Sequence, residues 1–187
     1  MAKAAVIFAN GCEEGEALTI VDIFRRAELT CDMVGLDSDE ITGAHDIVMK
    51  TDRVLSDDLK DYDMVILPGG YGGADNMRNN DHLISLLQEM NRAGKKIAAI
   101  CAAPIVLDRA GILEGKTFTC YPSTAEKIAS GNHSDNKIVV DGNLITSQGP
   151  ATAYAFGYKC VDELGGDSLT VKKRMVYFNA FDVKEDE

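Results

Sequence analysis

The stretch Ile97-Ala98-Ala99-Ile100 is apolar without alternation and runs straight into Cys101-Ala102-Ala103-Pro104. A strand with no polar face belongs in the middle of a parallel sheet covered on both sides, because only there are both rows of side chains buried. Pro104 suits a first helical turn, where its missing N–H leaves no hydrogen bond unmade. The cysteine therefore falls at a strand-to-helix turn on the edge of a sheet, where the amides that open a helix favour an anion. Such a position favours the thiolate, the nucleophilic form of cysteine.

The remaining chain is read in the same terms. Ala4–Ala9 is a buried strand, followed by the loop Asn10-Gly11-Cys12-Glu13-Glu14-Gly15 and a helix whose Ala17, Ile20, Val21 and Phe24 form one apolar stripe. Cys31–Leu36 and His45–Met49 read as the second and third strands. Asp63–Leu67 is a denser apolar run that ends in Pro68-Gly69-Gly70, with Tyr71-Gly72-Gly73 extending the loop. Leu83, Leu86, Leu87 and Met90 mark an amphipathic helix before the Cys101 strand. Beyond it, the pattern predicts a helix over Ile105–Ala110, a short strand over Thr117–Cys120, and a turn at Tyr121–Thr124 that caps a helix from about Ala125. Ile138–Val140 and Asn143–Thr146 flank Asp141-Gly142 as a hairpin. A last long helix opens at Gly149-Pro150, and Met175–Phe178 reads equally as strand or helix. Alternation of strand and helix defines an α/β domain with a mostly parallel sheet.

Composition narrows the function. A chain of 187 residues, 45% of them hydrophobic, suits a single domain over 1–187 with a substantial core. The formal charge is 19 minus 30, or −11, with acids clustered in the Lys184-Glu185-Asp186-Glu187 tail, which argues against nucleic acid or an anionic membrane as partner. No run is long enough to span a membrane, and the start has no cleavable signal pattern, so the expectation is a soluble, cytoplasmic protein. The five cysteines, Cys12, Cys31, Cys101, Cys120 and Cys160, contain no CxxC pair, so neither a disulfide framework nor a zinc site is expected.

Loops at the carboxyl ends of parallel strands gather at one sheet edge, which brings the Asn10–Gly15 loop, the Pro68–Gly73 loop and Cys101 together. Glu13, Glu14 and Glu16 are the acids available there. Their ordinary role is to favour a helix N-terminus, while one held beside a buried thiolate has its pKa raised and becomes a general acid or base. Gly69 and Gly70 suit a tight turn or an amide donor to a developing oxyanion, with Ala102 supplying a second amide. Of the histidines, His45, His82 and His133, none adjoins Cys101 in sequence; His82 reads as a surface residue at a helix start and His133 lies on a polar loop. Cys12 and Cys120, near strand ends, are the other cysteines placed to approach the site.

Gly11-Cys12-Glu13-Glu14-Gly15-Glu16, Leu67-Pro68-Gly69-Gly70, Ala98-Ala99-Ile100-Cys101-Ala102-Ala103-Pro104 and Thr146-Ser147-Gln148-Gly149-Pro150, in that order and spacing, resemble the ThiJ/PfpI superfamily, and within it the parkinsonism-associated protein deglycase branch. The resemblance implies a flavodoxin-like three-layer sandwich and a homodimer. It implies Cys101 as a nucleophile on a strained elbow, Glu16 as the protonated carboxyl beside the sulfur, and Gly70 and Ala102 as oxyanion-binding amides. It also implies a glyoxalase III-type lyase or deglycase that needs no metal, glutathione or other cofactor and acts on methylglyoxal, glyoxal or their early protein adducts. The alternative it implies is a redox-sensing protective protein or chaperone working through oxidation of Cys101. The chain departs from the resemblance at Ala102, where the protease-like branch has histidine, and at Tyr121-Pro122, where many members have a His-Pro pair. Tyr121 can donate a hydrogen bond but is a poor base at neutral pH. Gln148 and His45 stand where relatives carry arginines, which removes those cations from any anion or dimer contact.

Overall fold

The computed structural model describes residues 2–181, 183 and 184, and Glu185–Glu187 of the acidic tail lie outside the described residues. In chain order the regular elements are β1 (Lys3–Phe8), α1 (Glu14–Arg26), β2 (Thr30–Gly35), β3 (Glu40–Thr42), β4 (Val48–Lys50), β5 (Arg53–Val54), β6 (Met64–Leu67), α2 (Tyr71–Arg78), α3 (Asp81–Arg92) and β7 (Lys96–Ile100). They continue with α4 (Pro104–Arg109), β8 (Thr117–Phe118), β9 (Asn132–His133), β10 (Ile138–Asp141), β11 (Leu144–Ser147), α5 (Ala153–Glu163), α6 (Ser168–Arg174) and α7 (Tyr177–Phe181). Seven strands form the central sheet in the order β10-β11-β7-β6-β1-β2-β5. Every pairing in it is parallel except β10 with β11, the hairpin turned at Gly142, whose φ of 65° needs a residue without a Cβ.

The two-residue period of the strands divides the core in two. Ala5, Ile7, Val65, Leu67, Ile97 and Ala99 face one hydrophobic cluster with residues of α2, α3 and α4. Ala4, Val6, Met64, Ile66, Ala98 and Ile100 face the other, against Ile20, Val21 and Phe24 of α1 and Phe156, Cys160 and Val161 of α5. This is the expected flavodoxin-like sandwich, and it explains why the central strands are apolar throughout: each side chain meets a helix on one face or the other. The crossing of α1 and α5 is close at Gly157, where a Cβ would stand 2.8 Å from Ile23 Cδ1.

Local assignments differ at five places. His45 and Asp46 lie in a turn, and the strand begins only at Val48, because the β3–β4 hairpin needs the polar residues to reverse the chain. Tyr71-Gly72-Gly73 opens α2 and is no loop; glycine is a poor helix former, but a Cβ at Gly73 would stand 2.6 Å from Cys12 Cα, so the helix packs there only without one. After Tyr121 the chain makes a single 3-10 stretch, Pro122–Lys127, in place of an α-helix from Ala125. The short strand ends at Phe118, short of Cys120, and Met175–Phe178 is a turn followed by the start of α7.

Candidate active site

Cys101 is the first residue beyond β7 and has φ 63°, a left-handed conformation that a non-glycine residue adopts only when its surroundings hold it there. The surroundings do so through the backbone. Cys101 N–H donates to Ser147 O at 3.0 Å on β11, and Tyr121 N–H donates to Cys101 O at 2.9 Å. Pro104 follows as the first residue of α4. Of the five cysteines, all free thiols, Cys101 alone is not fully buried.

Two loops complete the elbow. The turn after β6 presses Gly69 against it so closely that a Cβ there would lie 2.5 Å from Cys101 Cβ and 2.9 Å from Glu16 Oε2. Gly70, at φ 82°, is the N-cap of α2, and its Cβ would meet Gly11 O at 2.4 Å. The backbone amides of Gly70 and Ala102 act on the Cys101 sulfur, favouring its charged form. From the first loop, Glu16 enters on α1, wholly shielded from solvent, and its Oε2 accepts Gly69 N–H at 2.7 Å. Its Oε1 is buried without an ordinary hydrogen-bond partner, although the carboxyl is near enough to the thiol for each to perturb the other.

Burial dominates the electrostatics of this pair. Desolvation raises the Glu16 carboxyl to about 7 against the pull of the Gly69 amide. Desolvation, followed by the Glu16 charge, pushes the Cys101 thiol up to about 12, and the two amides only partly offset it. The thiolate expected from the start of a helix is thus outweighed by burial. Near neutrality the carboxyl is therefore partly protonated while the sulfur keeps its proton.

The cleft outside Cys101 has a volume of about 300 Å³ and includes Glu13, His45, Gly70, Tyr71, Ala102 and Tyr121 in its walls. Tyr121 lies edge-on to Tyr71 at 6.3 Å between ring centroids, and its hydroxyl has no hydrogen-bond partner among the described residues. Sequence reasoning missed Tyr71 as a wall residue because it treated the glycine turn as extending past it. His45, singled out in the sequence only by its place in the resemblance, reaches the cleft because the β3–β4 turn packs against Glu14 of α1. His45 N–H donates to Glu14 Oε1 at 2.6 Å and its Nδ1 lies 2.9 Å from Glu14 Oε2. Glu13, Glu14 and His45 bring their ligand atoms within 4.8 Å of one another, a spacing that suits a cation, but His45 already engages both Glu14 oxygens.

The other candidates lie elsewhere. His133 is on β9 with its ring against Phe118, and His82 pairs with Asp57 at 2.8 Å on the surface. Gln148 donates to Asp135 O at 3.0 Å and lines no part of the Cys101 cleft. Cys12 and Cys120 are buried, with thiols raised to about 11 by desolvation, and neither reaches the cleft.

A parallel α/β sandwich that lifts a cysteine into a left-handed elbow at the carboxyl ends of its strands, with a fully buried carboxyl alongside, defines a class of cysteine-centred nucleophile-elbow proteins. The chain belongs to the DJ-1/PfpI family, whose model matches residues 2–163. Protein dj-1beta of Drosophila melanogaster is 42% identical over 171 residues, covering 89% of this chain and 91% of that protein. The Parkinson disease protein 7 homolog of Danio rerio is 37% identical over 176 residues, covering 91% and 93%. The crystal structure of Drosophila melanogaster DJ-1beta superposes with a TM-score of 0.90 at 38% identity, covering 94% of this chain and 97% of that one. Oxidized Toxoplasma gondii DJ-1 superposes with a TM-score of 0.88 at 28% identity, covering 94% and 98%. Among the described residues, no helix is long and apolar enough to cross a membrane.

Proposed function

We propose that this chain, acting as one domain in a homodimer, is a glyoxalase III-type lyase or deglycase working on methylglyoxal, glyoxal or their early protein adducts without a cofactor. The observation that carries the reading is the pairing of Cys101 on its strained elbow with the buried Glu16 carboxyl, raised to about 7. The sulfur attacks the aldehyde carbon as its proton passes to Glu16, and the Gly70 and Ala102 amides, already turned to the sulfur, take the adjacent oxyanion. Glu16 returns that proton to the oxyanion, takes the proton on the aldehyde carbon and delivers it to the neighbouring carbonyl carbon, while the hydroxyl proton passes to the neighbouring oxygen, leaving a thioester of the 2-hydroxy acid. Water cleaves the thioester, sulfur leaves and regains its proton, and methylglyoxal plus water has become lactate and a proton. One carbon is oxidised and its neighbour reduced, so no outside oxidant is required. In this reading Tyr121, a residue of the cleft wall, hydrogen-bonds the substrate carbonyl.

Lactate formation from methylglyoxal, without glutathione or metal, tests this directly. Cys101→Ala should abolish it and Glu16→Ala should lower it by at least about a hundredfold, the ordinary worth of a general acid–base. Wild-type turnover in Cys101→Ala would end the reading.

Oxidation of Cys101 to a sulfinic acid is the second reading. It is favoured by the two amides and the protonatable carboxyl around the sulfur, and by the oxidized state named for the Toxoplasma gondii relative. Intact-protein mass spectrometry after graded peroxide, showing selective Cys101 oxidation with negligible turnover, would favour this reading over the enzyme.

A further inference from the structure

Behind the ring of Tyr71 lies a second cavity, of about 130 Å³, which shares Tyr71 and Ala102 with the Cys101 cleft. Its other walls are Ile105, Asp75, Arg78, Thr124 and Lys127. Ala102 and Ile105 offer an apolar surface to a short methylene chain. The rest of the wall is polar, with the two cations Arg78 and Lys127 against the single carboxylate Asp75. Lys127 forms no ion pair among the described residues, and its ammonium stands 5.1 Å from the centroid of Tyr71. Arg78 spends one terminal nitrogen on Asp75, at 2.9 Å, leaving other guanidinium donors unspent. Thr124, 1% exposed, has a buried hydroxyl with no hydrogen-bond partner. Buried hydroxyls are ordinarily satisfied, so this one stands desolvated without compensation. Thr124 and Lys127 are three residues apart in the 3-10 stretch Pro122–Lys127, a spacing that stacks their side chains on one side. The Cys101 cleft itself carries the Glu13 carboxylate in its wall, beside His45.

We propose that the cavity behind Tyr71 is an anion subsite, which takes the carboxylate at the far end of a 2-oxoaldehyde longer than methylglyoxal while the aldehyde carbon lies at Cys101. The acidic wall near Glu13 disfavours the opposite orientation. Lys127 and Arg78 supply charge, and the Thr124 hydroxyl donates to the carboxylate. The chemistry at Cys101 rests on the glyoxalase reading, whereas binding of the carboxylate does not.

Two measurements separate the two ideas. In the first, succinate is titrated into the full chain at constant ionic strength and followed by backbone-amide NMR, with succinamide as the neutral control. Saturable shifts at Arg78, Thr124 and Lys127 with succinate alone, lost in Lys127→Gln/Arg78→Gln, are expected; equal shifts with succinamide, no shifts, or shifts unchanged in the double variant overturn the subsite. In the second, kcat/KM is compared for a 2-oxoaldehyde carrying a carboxylate two methylenes away and for its methyl ester. The acid-to-ester ratio should fall about tenfold in the double variant. A ratio that stays put overturns the subsite, while absence of all turnover with succinate shifts intact leaves the subsite standing and removes the glyoxalase reading. Thr124→Val supplies a further discriminator. A hydroxyl kept for ligand binding should leave Tm unchanged or higher when removed and weaken succinate binding several-fold; a lowered Tm with unchanged binding assigns it to the fold and counts against the proposal.

Discussion

At the scale of the residue, Glu16 is the group whose environment most shapes behaviour. Its carboxyl is raised from an ordinary 4.5 to about 7, so between those values the folded protein binds a proton that the unfolded chain has released. Stability from this group is therefore present below about pH 4.5 and declines as pH rises toward 7. The shift corresponds to about 3 kcal/mol at alkaline pH, an upper figure for a fully buried carboxyl. Glu16→Gln, which resembles the protonated acid, should be more stable than the wild type at pH 8 by up to about 3 kcal/mol and nearly equal to it at pH 4. Urea unfolding of both proteins at the two pH values checks this, and a gap independent of pH would contradict it. The same substitution should abolish proton transfer, so stability and turnover move in opposite directions, as expected of a functional group held in an unfavourable place.

Among the elements, the site depends on how closely α2 can approach the first loop. Gly70 caps α2 at a positive φ, with Gly11 O and Glu13 N–H directly against it. Gly70→Ala should cost about 2–4 kcal/mol, combining left-handed strain with a backbone collision, and should displace an amide that faces the sulfur. Denaturant unfolding and lactate assays on the same preparation would show both effects; an unperturbed midpoint would refute the tight approach. Much at this scale was legible in the chain. Continuous apolar runs placed β1, β6 and β7 in the centre of a parallel sheet, and helical spacing placed the stripes of α1 and α3, because both signals come from neighbours in sequence. The glycines of α2 misled for a matching reason: their intrinsic preference argues for a loop, and only close approach to the first loop, Gly72 to Gly11 and Gly73 to Cys12, accounts for their presence in a helix.

For the whole molecule, the β3–β4 hairpin leaves Ile47 51% and Val48 60% exposed, apolar surface that suits a second copy in the proposed homodimer. Sedimentation equilibrium should give about twice 20.2 kDa, and Val48→Asp should shift the mass toward the single chain. A wild-type mass near 20.2 kDa would remove the dimer from the functional reading. The sequence by itself determined an α/β domain with a mostly parallel sheet, the position of Cys101 at a strand-to-helix turn, and the gathering of three loops at one sheet edge, since periodicity and turn chemistry are local and survive without coordinates. Residue chemistry alone left Glu13, Glu14 and Glu16 equivalent, and resemblance singled out Glu16. The tertiary structure decided what surrounds it: a bond to Gly69, 53 residues away, and complete burial, which together put its proton in play near neutrality. It also brought His45, Tyr71 and Tyr121 to one cleft and set the thiol's proton against the helix-start amides. Desolvation depends on every element that packs around a group, and no window of sequence contains that sum.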